Sequence, residues 1–235
     1  MNRPIPVLGS VKNPGELSEK FLKNYSHLAL PLKTSTVKEK IELTVDLPAK
    51  AIKSLEKIYQ IDFSLEISKH GSGITGKAGE VIDIPATISS NTTDLKRILL
   101  VGVGGRSEGE IRKAGVAVGR KVRNTSSRVL SWIPERDNEV QIYLIANGLA
   151  TYSWSQKTGA KTETPSFDVV GAFSAVVDKS QVLLNATWKT RDLIHTPSNI
   201  KSPEWMAAQA KALAKSSTLS VKVRSGKDLL EFGGL

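Results

Sequence analysis

The sequence contains no cysteine, which excludes disulfides and thiolate metal sites. Histidine is scarce: His27, His70 and His195 are the three, no pair stands at the spacing of helical metal ligands, and no carboxylate cluster accompanies them. Long apolar runs are missing too. None approaches the roughly 18 residues of a membrane span, and the first fifteen residues hold no apolar core of signal-peptide length. Those fifteen carry three prolines and two glycines, which predicts a mobile arm over residues 1–20. Acid is in short supply, with 23 Asp and Glu against 33 Lys and Arg and a net charge of +10. What remains, 40% apolar and 24% charged residues, is ordinary for a soluble globular chain. At 235 residues there is room for one large domain or two small ones. The expected setting is the cytoplasm, without a membrane.

The patterning predicts alternating strands and helices. Leu28 to Leu32, Ile41 to Leu47, Phe63 to Ile67, Val81 to Pro85, Arg97 to Val103, Val129 to Ile133 and Phe167 to Val177 read as strands. Pro48 can open a helix whose apolar stripe is Ala51, Ile52, Leu55 and Ile58. Ser107 and Glu110 form a capping-box pair ahead of a helix with Ile111, Ala114, Gly115, Val118 and Val122 inward. Val140 to Leu149 is a further helix. Asp178, with Gln181 at N3, predicts a long helix to Ile194, stopped before Pro197. Ser202-Pro203-Glu204 opens another helix with Met206, Ala210, Leu213 and Ala214 inward. Leu219 to Val223 reads as a strand, and Gly226 to Phe232 as a short helix stopped by Gly233. The implied class is α/β. An amino-terminal, mostly parallel sheet domain covers residues 21–177, a linker helix 178–195, and an incomplete βαβ start of a second α/β domain 196–235, with Leu235 opening the next strand.

Three features could carry chemistry. Leu99 to Gly105 is a glycine-rich turn between a strand and a helix, whose N–H groups could cradle phosphate. It lacks the third spaced glycine of a dinucleotide fingerprint, so a structural turn is the expectation. Residues 96–136 hold ten Lys or Arg against three Glu. Within that stripe Arg112, Lys113, Arg120 and Arg123 share the outer helix face, as either a solvated surface or an anion site for nucleic acid or another acidic partner. Ser, His and Asp all occur, but no nucleophile elbow does. Thr196-Pro197-Ser198-Asn199 is expected to lock a helix exit, and Lys157 to Pro165 to be a polar loop.

The segment T-R-D-L-I-H-T-P-S-N, Thr190 to Asn199, resembles the R-D-L-V-N-T-P-P-N entry to the catalytic domain of the leucyl (cytosol) aminopeptidase family. Phe232-Gly233-Gly234-Leu235 is similar to that family's G-F-G-G-L-L turn. Weaker likenesses cover R-I-L-L-V-G-V-G-G from Arg97, the stretch Ala146 to Trp154, and Gly73 to Pro85 with its G-K-A-G-E. Together they reach from about residue 20 to the end. His195 replaces the usual Asn, and Ser198 the second Pro.

The resemblance implies a metallopeptidase that removes amino-terminal residues, often Leu, from peptides. Two divalent ions, Zn or Mn, would be held by Asp, Glu and Lys of a carboxy-terminal domain, in a homo-hexamer. The family's metal-ligand motifs lie downstream of the glycine turn, so no catalytic or metal residue carries over onto this sequence. A truncated fragment, inactive alone, is the expectation. The alternatives are an anion- or DNA-binding module acting through Arg112, Lys113, Arg120 and Arg123, and an inactive remnant.

Overall fold

Successive side chains of a strand leave the sheet on opposite faces, and in this chain both faces of the central strands are apolar. In β5 (Arg97–Gly102), Ile98 and Leu100 enter one core and Leu99 and Val101 the other. β6 (Arg128–Ser131) parts Val129 from Leu130, and β7 (Ser166–Val170) parts Phe167 and Val169 from Val170. Such strands must be covered on both sides, and they are.

The computed structural model describes residues 4–14, 18–37, 40–86, 94–155, 163–215 and 217–233. The remaining strands are β1 (Val7–Val11), β2 (His27–Val37), β3 (Lys40–Val45) and β4 (Val81–Pro85). All seven lie in one sheet of order β1-β7-β6-β2-β5-β4, with β3 paired to β2. Pairings are parallel from β1 to β5 and antiparallel for β4 on β5 and β3 on β2. The class is α/β, with a mixed sheet. On one face pack α4 (Glu108–Lys121), α5 (Asp137–Ala150) and α6 (Ser174–His195), through Ile111, Val118, Tyr143, Leu184 and Trp188. Leu22, Leu55, Tyr59 and Phe63, from α1 (Glu19–Leu22), α2 (Ala49–Tyr59) and α3 (Phe63–Ser68), fill the other.

The chain divides into two compact units, Met1–Lys189 and Thr190–Leu235, and the sheet belongs to the first. The second holds the end of α6, a turn at 196–200, α7 (Pro203–Lys215) and α8 (Asp228–Phe232). At that turn the Thr196 N–H and hydroxyl both donate to the Asp192 carbonyl, at 3.0 and 2.7 Å. Among the described residues no helix is long and apolar enough to cross a membrane.

Several expectations are corrected. Residues 7–11, placed in a mobile arm, form β1 against β7. The Leu8 N–H donates to Gln181 Oε1 at 2.8 Å, and Gln181 Nε2 donates to the Pro6 carbonyl at 3.1 Å. Gln181 therefore clamps β1 instead of capping α6, which begins at Ser174. The apolar run from Phe167 to Val177 is two elements: β7 ends at Val170, and Gly171 turns the chain at φ +140. A continuous run of that kind fits a buried strand or a buried helix, and the glycine decides where one ends. Phe63 to Ile67 is helical, because Asp62 accepts a hydrogen bond from the Leu65 N–H at 3.0 Å and starts α3. Leu219 to Val223 is exposed and forms no strand, since no neighbour among the described residues supplies a ladder. Nor does α7 bury any residue: Met206 and Leu213 are exposed. Most of the expected 157–165 loop, and Leu235, lie outside the described residues.

Candidate functional site

The glycine-rich turn after β5 is filled by the protein itself. The Glu110 carboxylate accepts from the Gly105 N–H at 3.1 Å, the Ser107 N–H at 2.9 Å and the Ser107 hydroxyl at 2.7 Å. The Ser107 hydroxyl and N–H, then the Gly105 N–H, hold this carboxyl below its usual range. The Gly104 N–H donates to the Gly76 carbonyl at 3.1 Å and the Arg106 N–H to the Val103 carbonyl at 3.1 Å. A phosphate would have to displace a side chain already fixed by the helix it caps. The turn is structural, as expected from its missing glycine.

The other face of α4 is open. A cavity of about 620 Å³ lies between α4 and the 76–80 loop. Lys77, Arg112, Lys113 and Arg120 line it, with Glu80 as the acidic member. Its apolar surface comes from small side chains, Ala78, Val116 and Ala117, beside Gly79. The loop is rigidly held: the Gly79 N–H donates to the Gly102 carbonyl at 3.0 Å, and the Gly102 N–H returns to Glu80 at 2.8 Å. Burial raises the Glu80 carboxyl, but hydrogen bonds from the Thr75 N–H (2.7 Å) and hydroxyl (3.1 Å), with the Gly76 and Lys77 N–H groups, bring it below its usual range. Glu80 is thus committed to its own loop.

Three of the four expected cations meet here. Arg123 does not, because α4 ends at Lys121 and Arg123 follows the Val122 cap. Lys77 and Glu80 were missed as site residues, although G-K-A-G-E was visible as the turn into β4. None of Lys77, Arg112, Lys113 and Arg120 forms a salt bridge with a described residue, whereas Lys121 of the same helix reaches Asp83 at 3.2 Å.

The buried carboxylates are taken by cations. Asp168 accepts from Arg128 Nη2 at 3.0 Å and Tyr25 Oη at 2.9 Å, and burial followed by that carboxylate raises the Tyr25 phenol far above its ordinary value. Glu139 receives Arg106 at 2.7 Å, Arg136 at 2.6 Å and the Glu135 N–H at 3.0 Å. Burial alone would raise the Glu139 carboxyl; these donors hold it low. Arg106 adopts φ +63, strained for a non-glycine, and also donates to the Ile133 carbonyl at 2.8 Å. His27 is pushed down by burial, then by Arg97 and Lys96, against Asp83. Among the described residues no group of three or more His, Asp or Glu could hold a metal ion. Carboxylates neutralised by guanidinium do not fit a divalent pair, so no step through metal is derived for this chain.

Residues 43–158 match the family model described as cytosol aminopeptidase family, N-terminal domain. A probable cytosol aminopeptidase of Chlamydia trachomatis serovar A is 28% identical over 189 residues, covering 72% of this chain and 37% of that protein. Its counterpart from Azotobacter vinelandii is 29% identical over 195 residues, covering 73% and 38%. The match therefore spans under two-fifths of the length of these curated relatives. Among solved structures, a mutant of tomato leucine aminopeptidase superposes with a TM-score of 0.72 at 14% identity, over 99% of this chain and 47% of the other. The bottromycin maturation enzyme BotP in complex with Mn gives 0.63 at 17% identity, over 88% and 40%. At such identities these two show a shared fold.

Proposed function

Residues 43–158 match the amino-terminal domain of the cytosol aminopeptidase family, and from this premise we propose that the chain serves as the non-catalytic amino-terminal part of a metal-dependent aminopeptidase. The observation that carries this reading is the family match, which falls on the sheet domain and includes β4, β5, β6, α4 and α5. Peptides are the proposed substrates of the whole enzyme, a divalent metal pair its cofactor, the cytosol its location and a homo-hexamer its assembly.

In this reading the domain's own residues do structural work. Arg106 and Glu139 tie the turn after β5 to the start of α5, and Asp168 ties β7 to β6 and to Tyr25. Hydrolysis of this kind needs an open, protein-held metal site, and among the described residues the buried carboxylates Asp168 and Glu139 are paired with arginines and no group of three or more candidate ligands is present. The expected outcome is that the purified 235-residue chain does not turn over Leu-p-nitroanilide with Mn²⁺ or Zn²⁺ added. Metal-dependent turnover that follows the chain through successive columns would overturn the non-catalytic assignment.

A further inference from the structure

We propose that the groove between α4 and the 76–80 loop is a docking site for an extended acidic peptide segment with two carboxylates four residues apart. Its cations come from two elements, Lys77 from the loop and Arg112, Lys113 and Arg120 from the helix. A solvated helix face needs no opposing wall; this one has a wall, which adds a fourth cation, Lys77, beside the carboxylate of Glu80. Four cations against one carboxylate leave the groove with an excess of positive charge, which an acidic occupant complements. Glu80, its carboxylate held by Thr75, is the single acidic lining residue and leaves that excess in place.

Spacing selects the occupant. Arg112 and Arg120 are eight residues apart on α4, about 12 Å along the axis. Four residues of extended chain span about 13 Å, so carboxylates at the first and fifth positions reach both ends. Between the two arginines the helix presents Val116 and Ala117, opposite Ala78 and Gly79. That middle accepts small aliphatic side chains. It holds no aromatic ring on which a nucleobase could stack, which single-strand nucleic-acid grooves use. The loop is already in place, with Gly76 and Gly79 at φ +79 and +91, so binding need not order it.

The test titrates the full chain into fluorescein-labelled Glu-Ala-Val-Ala-Glu at low ionic strength, read by anisotropy. Saturable binding that weakens as salt rises is expected. The Arg112→Gln/Arg120→Gln variant should bind about tenfold more weakly, as two exposed ion pairs are lost, with an unchanged thermal melt because both side chains are exposed. The isomeric peptide Glu-Glu-Ala-Val-Ala should lose affinity on the unaltered protein, which tests the spacing independently of any variant. Equal binding of the two peptides overturns the proposal, as does absence of saturation. Saturable binding of oligothymidylate without binding of the peptide overturns it in favour of a nucleic-acid groove.

Discussion

At the scale of single residues, the groups that could be mistaken for catalysts are locks. Glu139 is 2% exposed and is kept charged by Arg106 and Arg136. Glu139→Gln removes the charge and leaves the nearly buried Arg106 guanidinium undercompensated. Arg136 is mostly exposed, so its share is screened. The expected loss is about 2–4 kcal/mol at neutral pH, measured by urea unfolding. Because the folded carboxyl titrates below its unfolded value, this contribution is present above about pH 4.5 and disappears as pH falls through the folded pKa. The gap between the two proteins should therefore narrow as pH falls below about 4.5. A gap independent of pH would refute the ionised Glu139. The charges themselves were legible in the sequence. Their pairing was not, since Arg106 and Glu139 stand 33 positions apart and meet only because two βα turns are neighbours.

At the scale of elements, α4 shows how one helix carries glycines of opposite consequence. Gly119 faces α5: a Cβ there would lie 2.5 Å from the Asn147 carbonyl oxygen and 2.8 Å from the Ala150 Cβ. Nothing lies within 4 Å of a Cβ at Gly109. Alanine gains about 1 kcal/mol in helix propensity at either site, but at Gly119 overpacking costs about 1–3 kcal/mol. Gly109→Ala should thus raise the urea midpoint and Gly119→Ala should lower it; stabilisation by both would mean that α4 and α5 are not in this close contact. The capping box and inward face of α4 were readable from local pattern. The failures were also local in origin. Alternation at Phe63 to Ile67 suited a strand, and only the Asp62 cap chose the helix. Val7 to Val11 was hidden among prolines and glycines, because what makes it a strand is β7, 150-odd residues away in sequence.

At the scale of the whole molecule, the two units differ in what they bury. The first has two apolar cores separated by the sheet. In the second, α7 and α8 bury no residue, and Leu219, Leu230 and Phe232 are more than 60% exposed. Few buried apolar contacts mean a low free energy of local opening. Hydrogen exchange should therefore be slow in β2, β5, β6 and α4 and fast beyond residue 196. Protection that continues undiminished to α8 would contradict this division. By itself, the sequence determined the α/β class, the capped helix with its inward and outward faces, the redox-inert composition and the family likeness, because each rests on local periodicity, counts or short motifs. Only the tertiary structure decided that β1 joins the sheet, that Glu110 occupies the glycine turn, that Asp168 and Glu139 are neutralised by arginines, and that Lys77 faces Arg112, Lys113 and Arg120 while Arg123 does not. Each of those depends on side chains distant in sequence being brought within hydrogen-bond or Coulomb reach, and no local pattern encodes that distance.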